Sequence, residues 1–162
     1  MAAVDYFLKI DGIPGESQDH KHKAEIDVVS WSWGEQNSGT HATGGGGGAG
    51  KVSMQDFHFT MHVNKATPKL MEHCATGEHI KSATLTCRKA GKEQQEYLKY
   101  TFTDLLVSSY QTGGAQHSDV LPTDQISLNF SKIEIDYKEQ KADGTLGPSN
   151  KAGWDLKANK RV

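Results

Sequence analysis

The chain has 162 residues, with 18 Lys and Arg against 20 Asp and Glu, which gives a formal net charge of −2. A chain of this length forms one domain whose core needs no disulfide or metal to hold it. The balanced charge argues against a nucleic-acid binder, which carries a basic excess or a basic patch. The one basic run, 20–23, is flanked by Asp19 and Glu25, and we interpret it as a solvated loop.

Short runs of alternating apolar and polar residues, separated by turns rich in Gly, Asn and Asp, predict strands along most of the chain. The first strand carries Val4, Tyr6, Leu8 and Ile10 on one face. Further strands are predicted at 26–33, 52–63, 83–89, 95–103 and 105–110 (one strand or two), 126–137 and 154–156. The N-terminus has no basic region followed by a long apolar core, so we expect no cleaved signal peptide, and no segment reaches transmembrane length.

Three of the predicted strands change the face on which their apolar residues lie. They are 26–33, 52–63 and 126–137. In the second, Val52 and Met54 share one face, whereas Phe57 and Phe59 lie on the other. A one-residue bulge returns such side chains to one face and bends the strand. The alternative is that both faces of these strands are buried, one against the core and one against a neighbouring subunit.

Repeated bending is what a sheet needs in order to close. The predicted fold class is therefore mainly β: a closed β-barrel with one short flanking α-helix and a long glycine-rich loop. Residues 1–162 are expected to form a single domain.

The helix is predicted at about 67–76. Thr67 can cap it, Pro68 suits its first position and Gly77 can end it. An apolar stripe would dock the helix on one face or end of the barrel. The stripe consists of Leu70, Met71 and Cys74.

The stretch 34–50 contains five consecutive glycines, Gly44 to Gly48. Gly45, Gly50 and Lys51 have the spacing of a phosphate-binding loop. However, Val52 stands where a Ser or Thr would hold magnesium, and a predicted strand follows, so no helix N-terminus points at a phosphate. We therefore interpret 34–50 as an extended loop and expect no nucleotide cofactor.

Polar residues alternate with the aromatic ones in two predicted strands. Ser30 and Ser32 lie opposite Trp31 and Trp33, and a comparable polar face carries His58, Thr60 and His62. This polar face is either the outside of a barrel or the lining of a solvent-filled space. On a strand, His58 and His62 stand roughly 13 Å apart, too far to share a metal ion. With no catalytic constellation elsewhere, we expect no metal, no cofactor and no enzyme activity.

Several blocks, in order along the chain, resemble the hemolysin-coregulated protein (Hcp) family, the inner-tube proteins of type VI secretion systems. The blocks are DVVSWSWG at 27–34, the glycine run to Lys51, KATPKLM at 65–71, RKAG at 88–91, VSSYQTG at 107–113, DY at 136–137, QKADG at 140–144 and GW at 153–154. Together they cover essentially the whole chain.

The resemblance implies a β-barrel subunit of two packed sheets with a flanking helix. It implies that these subunits assemble into homohexameric rings, which stack into a tube. It implies that a contractile sheath drives this tube out of the bacterial cytoplasm behind a VgrG-type spike protein, with small effector proteins inside the rings. Export would then need no cleaved signal peptide. The alternative is a monomeric secreted binding protein or effector that uses the same barrel.

The resemblance also implies roles for individual residues. Ser30 and Ser32 are expected to face the lumen, and Ser32 is the foremost candidate for contact with cargo. The loop is expected to bridge adjacent rings or protomers through Gly44, Gly45, Gly46, Gly47, Gly48, Gly50 and Lys51.

Overall fold

The computed structural model describes residues 4–39, 50–89 and 93–162. Within these residues the chain forms eleven strands and one helix. The strands are β1 Val4–Ile10, β2 Ile26–Asp27, β3 Ser30–Ser32, β4 Glu35–Asn37, β5 Val52–Met54, β6 Phe57–His62, β7 Ile80–Lys89, β8 Gln95–Gly113, β9 Thr123–Gln140, β10 Leu146–Asp155 and β11 Lys160–Arg161. The helix, α1, is Thr67–Thr76.

The described strands are all paired antiparallel. Nine of them form one sheet in the order β11-β10-β9-β8-β7-β1-β2, in which β6 also pairs with β9 and β3 pairs with β6. Strands β4 and β5 form a separate two-stranded ladder. The predicted mainly β fold with one short helix is confirmed. The nine strands share one sheet in place of the two packed sheets that we predicted, and their pairing does not close that sheet into a barrel.

The predicted strand 26–33 is broken where its apolar face changes. Val28 N–H donates to the carbonyl of Tyr6 at 3.0 Å, and Val29 N–H donates to the carbonyl of Thr60 at 2.8 Å. The segment thus passes from pairing with β1 to pairing with β6. Val28 is 8% exposed but Val29 is 50% exposed, so Val29 does not share the inward face of Trp31.

Strand β8 is one continuous strand of 19 residues with several irregularities. Asp104 has a left-handed φ of 52°, and the register with β9 shifts between Val107 and Ser109. Phe102 and Leu105 stand three residues apart and would point to opposite faces of a regular strand, yet both are buried. The irregularity at Asp104 therefore keeps the apolar residues of β8 on the core side.

The core lies against the buried faces of β1, β6, β7, β8 and β9. Its centre is a phenylalanine cluster, in which the Phe102 ring centroid is 4.7 Å from that of Phe57 and 5.0 Å from that of Phe130. Helix α1 adds Leu70, which is fully buried, whereas Met71 is 54% exposed. Met71 therefore does not belong to the docking stripe that we predicted.

Helix α1 begins differently from the prediction and ends as predicted. Thr67 is its first residue rather than its cap, which is Ala66, and no side chain caps the helix. The Thr67 hydroxyl instead donates to the Asp124 carboxylate at 2.6 Å and accepts from Asn64 N–H at 3.1 Å. Gly77 ends the helix at a φ of 69°.

Arg88 is a buried cation that fastens the connection between β1 and β2. It is 2% exposed, and its guanidinium lies 4.5 Å from the Phe7 ring centroid. Its two terminal nitrogens donate to the two oxygens of Asp19 at 3.1 and 2.8 Å, and Nη2 also donates to Asp5 at 3.2 Å. Hydrogen bonding from Arg88 lowers the pKa of Asp19 to about 2.

His22 lies in the run that we interpreted as a solvated loop, but it is only 6% exposed. Its ring stacks on Phe7, with the centroids 4.5 Å apart. Nδ1 is 2.8 Å from the Glu25 carboxylate, and Nε2 is 2.7 Å from the Glu96 carboxylate on β8. The connection is thus anchored through both Asp19 and His22, and the solvated-loop interpretation is wrong at His22.

The contact between Thr67 and Asp124 yields a stability prediction. Thr67→Val keeps the shape of the side chain but removes the donor to Asp124, a carboxylate that is 0% exposed. We expect the free energy of unfolding to fall by about 1–3 kcal/mol, because Tyr110 would be its one remaining side-chain donor among the described residues. Urea unfolding measures the change. Thr76→Val, at the exposed end of α1, is the control and should change stability by less than about 0.5 kcal/mol.

The ion pair between Arg88 and Asp19 yields a pH prediction. Because folding lowers the pKa of Asp19 from 3.8 to about 2, its ionised form stabilises the fold above pH 3.8, and this contribution is lost as the pH falls towards 2. We expect Asp19→Asn to be less stable than the parent at neutral pH by roughly 2 kcal/mol or more, with the difference shrinking towards pH 2. Urea titrations across this range measure it. Asp11→Asn, an exposed change in the same connection, is the control, and a pH-independent difference for Asp19→Asn would contradict the assignment.

Candidate functional surfaces

Four neighbouring strands, β3, β6, β9 and β8, carry small polar side chains on one face. Directly paired residues of antiparallel strands point to the same side of a sheet, so the strand register defines rows across this face. The rows are Ser32–His58–Ser127–Ser109, Ser30–Thr60–Gln125–Gln111 and His62–Thr123–Gly113. We call these rows, together with Asp56 and Asn129 of the next row, the polar face.

The opposite side of the same strands belongs to the core. Its middle row runs Trp31–Phe59–Ile126–Tyr110. Phe59 and Ile126 are each 2% exposed, whereas Ser30, Ser32, His58 and His62 are exposed. The structure therefore brings together on one face all five polar residues that the sequence grouped, Ser30, Ser32, His58, Thr60 and His62.

A hydrogen-bond network on the polar face was not predicted from the sequence. Ser108, at the register shift in β8, donates to the Asp56 carboxylate at 2.6 Å and lies 2.8 Å from the Ser127 hydroxyl. Asn129 donates to the other oxygen of Asp56 at 2.8 Å. The alternation of Gln125, Ser127 and Asn129 along β9 was the available signal. Asp56 and Ser108 gave no such signal, because both stand at irregular positions.

The polar face is nearly free of permanent charge. Its rows contain no Lys or Arg among the residues that the structure describes, and both oxygens of its one carboxylate, Asp56, accept hydrogen bonds. The remaining ionisable side chains in the rows are His58 and His62, which are exposed. Hydroxyl, amide and imidazole groups therefore dominate the chemistry of this surface.

Strands β4 and β5 form a projecting arm, in which Glu35 pairs with Met54 and Asn37 pairs with Val52. The predicted loop 34–50 thus begins with a strand, because Glu35–Asn37 is β4. Gly44 to Gly48 lie outside the described residues, and so does the expectation that they bridge adjacent rings or protomers, which stays a prediction. The arm leads back through Lys51 directly into β5, so no helix begins at the glycine-lysine pair.

Gly50 closes the described part of the arm. Its carbonyl accepts a hydrogen bond from the Asn37 side chain at 2.7 Å. A Cβ at this position would lie 2.4 Å from the carbonyl oxygen of Ser38, closer than atoms can approach. Glycine is therefore required at 50 for the two limbs of the arm to approach one another.

A groove of about 1310 Å³ lies between the arm and strands β8 to β11. Aromatic residues line it, including Trp33, Tyr100 and Trp154, and Lys51 and Lys151 stand among its lining residues. The indole N–H groups of both tryptophans are shielded from solvent and have no hydrogen-bond partner among the described residues. Partly buried aromatic side chains in a concave surface are typical of protein-binding sites.

Other kinds of site find little support in the described residues. Cys74 and Cys87 are free thiols, and burial raises the pKa of Cys87 to about 12, which keeps this thiol protonated. Among the described residues, no three His, Cys, Asp or Glu side chains are arranged to hold a metal ion. No helix in the described parts of the chain is long and apolar enough to cross a membrane.

Comparison with known proteins places the chain among the proteins of type VI secretion systems. It belongs to the Hcp family: residues 7–137 match the family described as "Type VI secretion system effector, Hcp". Protein hcp1 of Pseudomonas aeruginosa is 50% identical over 159 residues, which cover 97% of this chain and 98% of that protein.

Solved structures agree with this assignment. Hcp1 from Salmonella typhimurium is 40% identical, with a TM-score of 0.82, and the match covers 99% of this chain and 100% of that one. The structure of a type six secretion system protein is 30% identical, with a TM-score of 0.94, and covers the same shares of the two chains. The recognition of the family from sequence is confirmed.

The close approach at Gly50 yields a prediction about the arm. We expect Gly50→Ala to separate β4 from β5, since the added Cβ meets a backbone carbonyl that cannot rotate away. Amide hydrogen exchange should accelerate in β4 and β5 and remain unchanged in β6 to β9. The matched control is Gly39→Ala, because a Cβ there meets no atom of the described residues within 4 Å. Equal exchange in both variants would show that the arm does not depend on this approach.

Proposed function

We propose that this chain is a non-enzymatic structural subunit of the type VI secretion inner tube. Residues 1–162 form a single tube domain that assembles into homohexameric rings, and the rings stack into a tube. The subunit is made in the bacterial cytoplasm and exported without a cleaved signal peptide, behind a VgrG-type spike protein and through the action of a contractile sheath. Small effector proteins travel in the lumen. Membership of the Hcp family supports this role.

The observation that carries the proposal is the two-sided sheet. One side of β3, β6, β9 and β8 fills the core of the protomer, while the other presents the continuous polar face. A ring subunit needs such a polar face to line a water-filled channel, because a large exposed apolar lining would bind protein surfaces indiscriminately. We assign the polar face to the lumen, with Ser30 and Ser32 in contact with cargo.

We further propose that the segment 26–32 joins the two ends of the sheet, which strand pairing alone leaves open, and so completes a barrel. Asp27 pairs with Phe7 of β1, and three residues later Ser30 pairs with Thr60 of β6. Since β6 is joined to β1 through β9, β8 and β7, a single bent segment supports a complete circuit of strands. Closure would protect edges that otherwise expose unpaired backbone groups.

The arm and the groove are the surfaces that we assign to contacts between subunits. All three residues of β4 are exposed, so the arm projects without a core of its own. The groove beside it offers Trp33 and Trp154 to a partner. We assign the arm, including Gly50 and Lys51 and the glycines Gly44 to Gly48 beyond the described residues, to stacking between rings or protomers.

Assembly is the first test of this proposal. Sedimentation velocity should give a hexamer at micromolar concentration, and negative-stain images should show rings with a central hole. A stable monomer at high micromolar concentration, with no rings in the images, would overturn the proposal. That outcome would favour the monomeric secreted binding protein or effector.

Shortening the glycine run tests the role of the arm. Deleting three of the five residues Gly44 to Gly48 should leave single rings intact, because glycine has no side chain to contribute to an apolar core. End-to-end stacking should weaken, which counting tubes against single rings in images measures. Loss of the folded protomer by circular dichroism would contradict the placement of this segment outside the core.

Substitution of Ser32 tests the cargo surface. Ser32→Gln adds bulk to an exposed residue of the polar face, so we expect rings to persist and co-purification of a co-expressed small effector to fall severalfold. The control is Ser118→Gln, an exposed change in the connection between β8 and β9. Unchanged effector recovery with Ser32→Gln would remove Ser32 from the cargo surface.

A further inference from the structure

The polar face contains two side chains whose charge can change near neutral pH. His58 and His62 lie four residues apart on β6 and point to the same side of the sheet, roughly 13 Å from one another at the usual strand rise. Both are exposed. Histidine is the side chain that changes charge between about pH 5 and 8.

The surroundings of these histidines contain few competing charges. His58 stands between Ser32 on β3 and Ser127 on β9, and His62 pairs with Thr123 on β9. Strand β8, one strand further, contributes Ser109, Gln111 and Gly113 to the same rows. Each histidine therefore has hydroxyl groups as its nearest cross-strand neighbours.

Other charged groups lie around the polar face, and each has a defined place. Asp56 immediately precedes β6, and Ser108 and Asn129 donate to its two oxygens. Asp27 lies before the break at Val28. Burial raises its pKa, and so do the neighbouring Asp5 and Asp19, the two carboxylates that Arg88 contacts. Asp27 therefore belongs with these charged residues around Arg88. Beyond the ends of the rows stand Lys65, which follows β6, and His117 and Asp119 in the connection between β8 and β9.

We propose that the polar face binds acidic polypeptide segments, and that protonation of His58 and His62 strengthens this binding. The hydroxyls of Ser30, Ser32 and Thr60 can donate to carboxylates at any pH, since their rows contain no carboxylate that competes for them. When both imidazoles are protonated, they add positive charge to a face whose rows contain no other described cation. This inference deepens the proposed function, because it names the chemistry of the cargo that the lumen would hold.

The charge on the face, not its shape, changes with pH in this arrangement. An acidic segment therefore binds more tightly in acid, while an uncharged segment of equal length binds with unchanged affinity. In a ring the effect repeats once per subunit, so several weak contacts act on one cargo molecule. Salt weakens the charged part of the binding, because the histidines are exposed and readily screened.

The test uses the full-length protein and two fluorescent peptides of equal length, an oligoglutamate and a serine-glycine peptide. Fluorescence anisotropy at about pH 5.5 and about pH 7.5 measures the two affinities over a range in which histidine titrates. We expect the oligoglutamate to bind about threefold to tenfold more tightly at the lower pH, given two exposed charge contacts per subunit. The serine-glycine peptide should show no change.

The variants separate the histidines of the polar face from the other six histidines of the chain. The double variant His58→Gln, His62→Gln should bind oligoglutamate equally at both pH values. His20→Gln, an exposed change in the connection between β1 and β2, should retain the full pH effect. A pH effect that survives in the double variant, or its absence from the parent protein, overturns the inference.

Sedimentation velocity at both pH values distinguishes this inference from the proposed function. Rings without histidine-dependent binding would overturn the inference and leave the tube role intact. Monomers with histidine-dependent binding would support the acidic-segment site and overturn the ring. If the serine-glycine peptide shows the same pH effect as oligoglutamate, charge is not the cause and the inference fails.

Discussion

The strict alternation of side chains along β6 is the constraint on which both faces of the sheet depend. Because successive residues of a strand point to opposite sides, Phe57 and Phe59 can enter the core only if His58 and Thr60 face outwards. A slip of one residue against the neighbouring strands would bury the polar set and expose the aromatic rings, at about 1.5–3 kcal/mol for each large apolar side chain. The core therefore fixes which residues make up the polar face, and Ser32 reaches that face through its pairing with His58.

Local irregularities in the strand backbone keep apolar side chains on the core side where the strands bend. Asp104 adopts a positive φ of 52°, a conformation that is costly for a residue other than glycine. Neighbouring groups hold it there: its carboxylate is in contact with Lys157, lies 2.9 Å from the His79 ring nitrogen and accepts from the Ser131 hydroxyl at 3.2 Å. Hydrogen bonding, from Lys157 most of all, lowers the pKa of Asp104 to about 2. The same contacts tie β8 to β9, to the turn after β10 and to the residues before β7.

The sequence predicted those features that short-range patterns encode. Alternation located the long strands and the polar face, and a glycine located the end of α1. The breaks between β2 and β3 and between β5 and β6 could be predicted from the sequence, because a change of face leaves an odd number of residue steps between consecutive apolar residues. Contacts between distant residues were invisible: Arg88 meets Asp19 across 69 residues, and His22 meets Glu96 across 74. From sequence alone a basic, histidine-rich run is predicted to be solvated, because the buried arginine and the two carboxylates around it are distant in the chain. The exposure of Met71 likewise depends on how α1 packs on the sheet.

The arm lies outside the constraint that governs the rest of the sheet. Its ladder joins strands of three residues. Met54 of β5 packs against the core, whereas β4 has no buried residue, so substitutions in β4 remove no core contact. A two-stranded ladder of this size is only marginally stable by itself, so its conformation depends on the residues that it contacts. Because the core determines the polar face while β4 places no side chain in the core, substitutions in β4 can change the arm without disturbing the polar face. The glycine at position 50 is the exception, since the limbs of the arm meet there at backbone distance.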